Sequence, residues 1–255
     1  LSSESGGQSQ GKREFPPVLI LAGGLATRLG AIAEKTPKAM VEVAGRPFIA
    51  HQLQLLQEQG VREIVLCLSH LSQQIEDFVD DGFRFGLRVQ YAYDGDMRLG
   101  TGGAVARACT LVDGDFAVLY GDTFLDVPFA PIYQAFLDSN RLGLMTVLKN
   151  MNRWDKSNVL LADGQVVEYD KQSDRIDMLH IDYGLSILKR QALESFAVGR
   201  SFDLSEVFKD LIAGGQMAGY EVTQRFYEIG TADAIAETDA YLRQRIARKS
   251  ANEVG

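Results

Sequence analysis

The stretch VLILAGGLATRLG, Val18–Gly30, decides how the rest of the chain is read. Four apolar residues of buried-strand type run into paired glycines, and a cation, Arg28, follows. A loop so bare of side chains lets a ligand approach the backbone, and the arginine points to an anionic ligand. A dinucleotide fold would place G-x-G-x-x-G here, and a P-loop G-x-x-x-x-G-K-[ST]. Neither occurs in this loop, which sets a nicotinamide-dependent enzyme aside. What remains is phosphate binding by loop amides and cations, with Lys38 in TPKAM as the second cation. On the loop alone, a tight turn with two solvated basic residues fits equally well.

Outward from this strand, β and α patterns alternate. The apolar spacing predicts strands at Val18–Ala22, Glu63–Leu68, Val89–Tyr93 and Phe116–Tyr120. Helices are predicted at Pro47–Gln59, which stops at Gly60, at Leu71–Val79 and at Ala104–Leu111. Such alternation builds a mostly parallel sheet covered on both faces, with ligands gathered at the carboxyl ends of the strands. The glycine loop lies at such an end, and so does Gly121-Asp122. After Pro128 the rhythm changes to strands with few helices between them: Leu142–Lys149, Val159–Leu161, Val166–Tyr169 and Tyr183–Leu188. Ala-Asp-Gly at 162–164 reads as a hairpin turn. Helices follow at Asp203–Ala213 and Ala232–Arg248. The expected fold class is α/β, a Rossmann-like three-layer arrangement with a central mixed, mostly parallel sheet and a smaller second lobe continuous with the first.

Composition narrows the function. The chain has 255 residues, 46% of them hydrophobic, enough for a sizeable core. A net charge of −8 and the lack of any basic run argue against a nucleic-acid partner. No stretch approaches the about 18 apolar residues of a membrane helix, so no membrane partner is expected. Two cysteines, Cys67 and Cys109, sit in apolar surroundings, which favours a reducing, cytoplasmic setting over a disulfide framework. Assembly into a homo-oligomer is left open.

Two further motifs carry chemistry. Arg98–Ala108, RLGTGGAVARA, sets Gly100, Gly102 and Gly103 ahead of a helix, where free amides can meet a ligand. In VLYGDTFLDV, Asp122 ends a buried strand directly after Gly121. A carboxylate there is poorly solvated unless paired, and a divalent metal is a natural partner; a capping role is the alternative.

The ordered set LAGGLATRL, TPKAM, LGTGGAV and GD resembles the sugar-1-phosphate nucleotidyltransferase family, over about Val18 to Leu242. VVEYDKQSD, IDYGLSIL and FYEIGTADAIAET fit the family's later segments. Within it, FRFGLRVQY, LGTGGA and GDTFLDV look most like heptose-1-phosphate guanylyltransferases. The resemblance implies one nucleotidyltransferase domain over 16–248, with a nucleotide lobe at about 16–127 and a sugar-binding lobe at about 128–248. Residues 1–15 and 249–255 are then tails.

The implied reaction joins an NTP, GTP in particular, to a sugar 1-phosphate and releases pyrophosphate. The product implied by the closer match is GDP-heptose, from D-glycero-D-manno-heptose 1-phosphate; uridylyl, thymidylyl or cytidylyl transfer to a hexose 1-phosphate is the alternative. By resemblance the catalytic residues are Arg28, Lys38, Asp122 and Lys171. Nucleotide binding falls to Leu21, Ala22, Gly23, Gly24, Thr27, Arg28, Lys38, Asp94, Gly100, Thr101, Gly102 and Gly121. An acidic side chain can accept from guanine N1 and N2, which makes Asp94 compatible with guanine. The sugar phosphate falls to Asp122, Asp170, Lys171, Asp182, Tyr183 and Gly184, and Mg²⁺ to Asp122 and Glu228. Three positions depart from the family pattern. Ala26 and Glu228 stand where glycine and aspartate are usual, and Asp182 replaces a common asparagine. A non-catalytic paralogue that binds a nucleotide sugar would cite the first two; Arg28, Lys38, Asp122 and Lys171 speak against it.

Overall fold

In the computed structural model, residues 14–24, 36–69, 71–95 and 97–253 are described. The strand after which everything is ordered, β1 (Val18–Leu21), lies near the middle of a nine-stranded sheet. Its neighbours are β4 (Glu63–Leu68) and β6 (Phe116–Tyr120), both parallel to it, and β5 (Arg88–Tyr93) continues parallel beyond β4. The sheet does not stop at the second lobe. β11 (His180–Leu188) pairs antiparallel with β6 and with β8 (Gly143–Lys149). Beyond β8 come β12 (Met217–Val222), parallel to it, then β10 (Gln165–Tyr169) and β9 (Val159–Ala162). The two lobes therefore share one mixed sheet.

Alternation along β1 shows the three layers. Val18 and Ile20 face a core shared with α1 (Phe48–Glu58), α2 (Ser72–Val79) and α4 (Phe129–Ser139). Leu19 faces the other core, shared with α3 (Gly100–Ala108) and α5 (Leu204–Ala213). A third, smaller cluster binds the long C-terminal helix α6 (Ala232–Glu253) to two short ribbons. One is β2 (Glu42–Val43) with β3 (Arg46–Pro47); the other is β7 (Thr123–Phe124) with β13 (Tyr227–Glu228).

Several elements differ from the expectation, each for a physical reason. α4 lies just after Pro128, where the sequence pattern predicts strands and no helix. Pro131 falls in the helix's first turn, where its missing N–H has no intrahelical partner to lose. β12, which carries Gly219, is a further strand beyond those the sequence pattern predicts. A Cβ on Gly219 would lie 2.2 Å from Leu161 Cδ1, so the end of that side chain occupies the space glycine leaves. α3 begins at Gly100 instead of Ala104, so the three glycines lie inside the helix. At both ends order extends further than the tails allowed. Phe15 packs against Phe129 and Tyr133, with ring centroids 5.3 and 5.6 Å apart, and α6 runs on to Glu253. The hairpin at Asp163-Gly164 is as expected, both residues having positive φ.

Candidate active site

The carboxyl ends of β1, β4, β5 and β6 surround a cavity of about 300 Å³. Leu21, Ala22, Gly23 and Gly24 form one wall, and Gly121 and Asp122 another. The two walls approach closely. The Gly121 amide donates to the Leu21 carbonyl at 3.1 Å, and a Cβ on Gly121 would lie 2.6 Å from that oxygen. Ser69 Oγ donates to the Gly23 carbonyl at 2.7 Å and fixes the start of the glycine loop. Thr27 and Arg28, with Ala26, lie outside the described residues.

Lys38 stands in a single 3-10 turn, Lys38–Met40, and its Nζ donates to Asp122 Oδ2 at 2.5 Å. Asp122 in turn lies beside Glu228. β7 pairs with β13 so that Thr123 faces Glu228, and the Ile229 amide donates to the Asp122 carbonyl at 3.1 Å. Desolvation pushes the Glu228 carboxyl up from its ordinary value, and the Asp122 charge adds to the shift. Lys38 and the Gly230 amide, at 3.0 Å, oppose it. Among the described residues, no group of three His, Cys, Asp or Glu is placed to hold a metal ion.

Asp94 also lines the cavity. Desolvation pushes its carboxyl up, while a bond from the Leu99 backbone and the charges of Arg107 and Arg98 hold it back. Arg107 Nη1 donates to the carbonyls of Tyr93 and Asp94 at 2.6 and 3.1 Å, which sets the backbone at this strand end.

Gly100 and Thr101 line the cavity, but Gly102 does not. The Gly102 amide donates to the Phe202 carbonyl at 3.0 Å, and a Cβ on Gly102 would lie 2.3 Å from the Phe202 ring. The glycines of this helix therefore serve the close approach of residues 200–203, and the Gly102 amide is not free for a ligand. Thr101 Oγ1 donates to Asp203 Oδ2 at 3.0 Å and accepts from the Leu204 amide at 2.9 Å, joining α3 to α5.

Tyr120 lines the cavity and leads out of it. Lys171 Nζ lies 5.8 Å from the ring centroids of both Tyr120 and Tyr169. Asp182 faces the same space, accepting from the Gly184 amide at 3.0 Å and from the Tyr169 hydroxyl at 3.3 Å. Burial pushes the Asp182 carboxyl up, against the Gly184 bond and the Lys171 charge. Burial and the Asp182 charge also raise both phenols far above their usual range, so they stay neutral donors. Asp203, the N-cap of α5, also feels the charge of Lys171. Partial burial would raise its carboxyl, but bonds from Ser205 and the Lys171 charge outweigh this and lower it.

Two residues assigned to the sugar phosphate have partners within the chain. Tyr183 is 1% exposed; its ring packs edge-on to Phe226 and its hydroxyl donates to the Arg225 carbonyl. Its side chain belongs to the core. Asp170 Oδ1 accepts from the Gln172 amide at 2.9 Å and closes its own turn. Residues the sequence reading missed are Ser69, Arg98, Tyr120 and Asp203. Tyr120 stands directly before Gly121-Asp122, and Asp203 opens an Asp-x-x-Glu capping box, so each had a local signal.

Residues 17–157 match the nucleotidyl transferase family. Over 194 residues the chain is 29% identical to a D-glycero-alpha-D-manno-heptose 1-phosphate guanylyltransferase from Campylobacter jejuni, covering 75% of this chain and 84% of that one. Over 226 residues it is 26% identical to an N-acetylmuramate alpha-1-phosphate uridylyltransferase from Neisseria meningitidis, covering 87% and 96%. The crystal structure of HddC from Yersinia pseudotuberculosis, complexed with GMP-PN, is similar at a TM-score of 0.72 and 25% identity, covering 89% of this chain and 100% of that one.

Proposed function

The chain belongs to the nucleotidyl transferase family, and we propose that it transfers a nucleoside monophosphate from an NTP to a sugar 1-phosphate, giving an NDP-sugar and pyrophosphate. GTP and D-glycero-D-manno-heptose 1-phosphate are the substrates this reading favours. The guanylyltransferase relative and the carboxylate of Asp94 in the cavity wall support that choice. The observation that carries the reaction class is a cleft with two cationic stations. Lys38 stands at the cavity with Asp122, within the field of Glu228; Lys171 stands 5.8 Å from the ring of Tyr120, a residue that also lines the cavity.

An oxygen of the sugar 1-phosphate attacks the α-phosphorus of the NTP. A P–O bond forms there, and the bond to the bridging oxygen breaks in line, its electron pair leaving with pyrophosphate. No protein nucleophile is required, so positioning and charge neutralisation carry the rate. Lys171 offsets the charge of the incoming phosphate. Lys38, with Arg28 by resemblance, offsets the charge of the triphosphate.

Two adjacent carboxylates, one of them raised partly by the other's charge, form an anionic donor set that suits a hard divalent cation. Asp122 and Glu228 would hold Mg²⁺, with water and phosphate oxygens filling the other positions. When bound, the ion would neutralise charge developing on phosphate oxygens. Pyrophosphate release across a panel of NTPs and sugar 1-phosphates tests the proposal. Release that needs both substrates and is fastest with GTP and the heptose phosphate is expected. Binding of a nucleotide sugar without pyrophosphate from any pair would instead identify a regulatory paralogue.

A further inference from the structure

Behind the Gly121-Asp122 turn lies a buried amide that the reaction itself does not use. Gln52, on α1, is 1% exposed. Its Nε2 donates to the Tyr120 carbonyl at 3.0 Å and to the Thr123 carbonyl at 2.8 Å. Those two carbonyls bracket Gly121 and Asp122. Only an NH₂ group can serve two carbonyls at once, so the partners fix which end of the amide faces them. The other end, Oε1, is buried with no hydrogen-bond partner among the described residues. An apolar side chain of similar volume would fill this space without stranding an acceptor. The chain instead keeps an amide on the two carbonyls that flank Gly121-Asp122.

Glu228 is held from its own side. Thr238 on α6 is fully buried, and its Oγ1 donates to the Glu228 carbonyl at 2.7 Å. The Ile229 amide, donating to the Asp122 carbonyl, joins the two mounts. Without such anchors the Asp122 side would be loosely specified. Gly121 precedes it and the strand that follows, β7, is two residues long.

We propose that Gln52 is a positioning residue, clamping the Tyr120–Thr123 turn from α1 so that the Asp122 carboxylate is presented beside Glu228. The inference rests on the reading that Asp122 and Glu228 hold a divalent cation. It assigns the geometry of that pair to a residue that touches neither substrate nor metal. Gln52→Met keeps the approximate volume and removes both donors, and Gln52→Leu serves as a second variant. Mn²⁺ is the probe, titrated by electron paramagnetic resonance in the presence of an NTP analogue that cannot react at its α-phosphorus. Mn²⁺ affinity is expected to weaken about tenfold. In the complete reaction kcat is expected to fall about 10- to 100-fold, while the KM for NTP stays within about threefold.

Leu53→Val, a core truncation at the next position of the same helix, controls for general loosening. It should lower the melting temperature and leave Mn²⁺ affinity unchanged. The clamp is refuted if both Gln52 variants keep normal Mn²⁺ affinity and kcat, or if Leu53→Val weakens Mn²⁺ as much at matched stability. Asp122→Asn separates this failure from that of the underlying reading. If Asp122→Asn loses Mn²⁺ while the Gln52 variants retain it, only the clamp falls. If Asp122→Asn retains it, the metal assignment and the clamp fall together.

Discussion

At one end of the cleft, a methyl group on Gly121 would lie 2.6 Å from the Leu21 carbonyl oxygen, and one on Gly23 would lie 2.8 Å from Ser69 Oγ. At the other end, Lys171 has two aromatic rings at 5.8 Å and two carboxylates, Asp182 and Asp203, in its field. At the first end the backbone at Gly121 passes so close to Leu21 and Ala22 that only hydrogen fits there, and Gly23 abuts Ser69. The second is made of side chains that can be exchanged one at a time. A triphosphate is the same whatever base it carries, and closely approaching backbone suits it. Sugars differ hydroxyl by hydroxyl, and a wall of side chains can follow them. The Asp122–Glu228 pair joins the cavity wall, at Asp122, to the β7–β13 ribbon, aimed by backbone but acting through side chains.

The largest effect should come from that junction. Asp122→Asn is expected to lower turnover on the order of 10² or more with an unchanged circular dichroism spectrum, as loss of a main electrostatic contribution would. Near-normal turnover at limiting Mg²⁺ would remove Asp122 from the metal site. Gly121→Ala tests the backbone end. The new methyl meets the backbone of Leu21 and Ala22 at the end of β1, so the strand ends must shift. Overpacking of this kind costs about 1–3 kcal/mol, and NTP affinity should fall with stability. A Gly121→Ala enzyme with wild-type NTP affinity would show that the wall is softer than its contacts.

Glu228→Gln should have a smaller effect, raising the Mg²⁺ requirement about tenfold by removing one charge-assisted ligand contact. Its pH dependence has a definite sign. The Glu228 carboxyl is raised by desolvation and by Asp122. It therefore takes up a proton at a higher pH than an ordinary carboxyl, and only its ionised form can bind a cation well. The Mg²⁺ requirement of the wild type should rise as pH falls through that raised value, and the Gln variant should lack this limb. A limb of equal size in both enzymes would assign it to another group.

The smallest effect lies away from the cleft, where α6 is fastened. Arg245 binds Asp126 through Nε at 2.7 Å and Nη2 at 3.2 Å, and the Tyr241 hydroxyl donates to Asp126 at 2.5 Å. Burial would raise the Asp126 carboxyl, but these bonds outweigh it and lower it. A lowered carboxylate stabilises the fold fully above its unfolded value, 3.8, and the contribution is lost as pH falls through the lower folded value. Asp126→Asn should therefore cost about 1.5 kcal/mol near neutrality, a few degrees of melting temperature. The gap from wild type should close in acid below that range. A gap that does not change with pH would mean that packing, and not charge, fastens the helix.

The same division governs what the sequence could reveal. Val18–Leu21, Glu63–Leu68 and Phe116–Tyr120 are buried on both faces, and their unbroken apolar runs announce them. The glycines between them, by contrast, carry two meanings that spacing does not separate. Gly23 and Gly121 make room at the cavity, whereas Gly102 and Gly103 make room for residues 200–203, about a hundred positions away. Nothing local to Gly102 distinguishes a ligand from Phe202. Likewise Tyr183 sits in a motif whose resemblance implies a sugar contact, but it precedes Gly184, whose positive φ turns the strand, and its ring goes to the core. Gln52 was invisible because one polar residue on an amphipathic helix reads as solvated. Its burial depends on the Tyr120–Thr123 turn arriving above it.

The central claim is that the two lysines serve different ends of one cleft, and calorimetry of NTP binding on Lys38→Ala and Lys171→Ala, paired with kinetics in the sugar 1-phosphate, tests it most directly. Lys171→Ala should bind NTP like the wild type and use the sugar phosphate about 10- to 1,000-fold less well, the range for losing a charge-assisted contact plus some misorientation. Lys38→Ala should show the reverse, with weakened NTP binding and a nearly unchanged KM for the sugar phosphate. A Lys171→Ala enzyme that loses NTP binding yet keeps its sugar-phosphate KM would contradict the account.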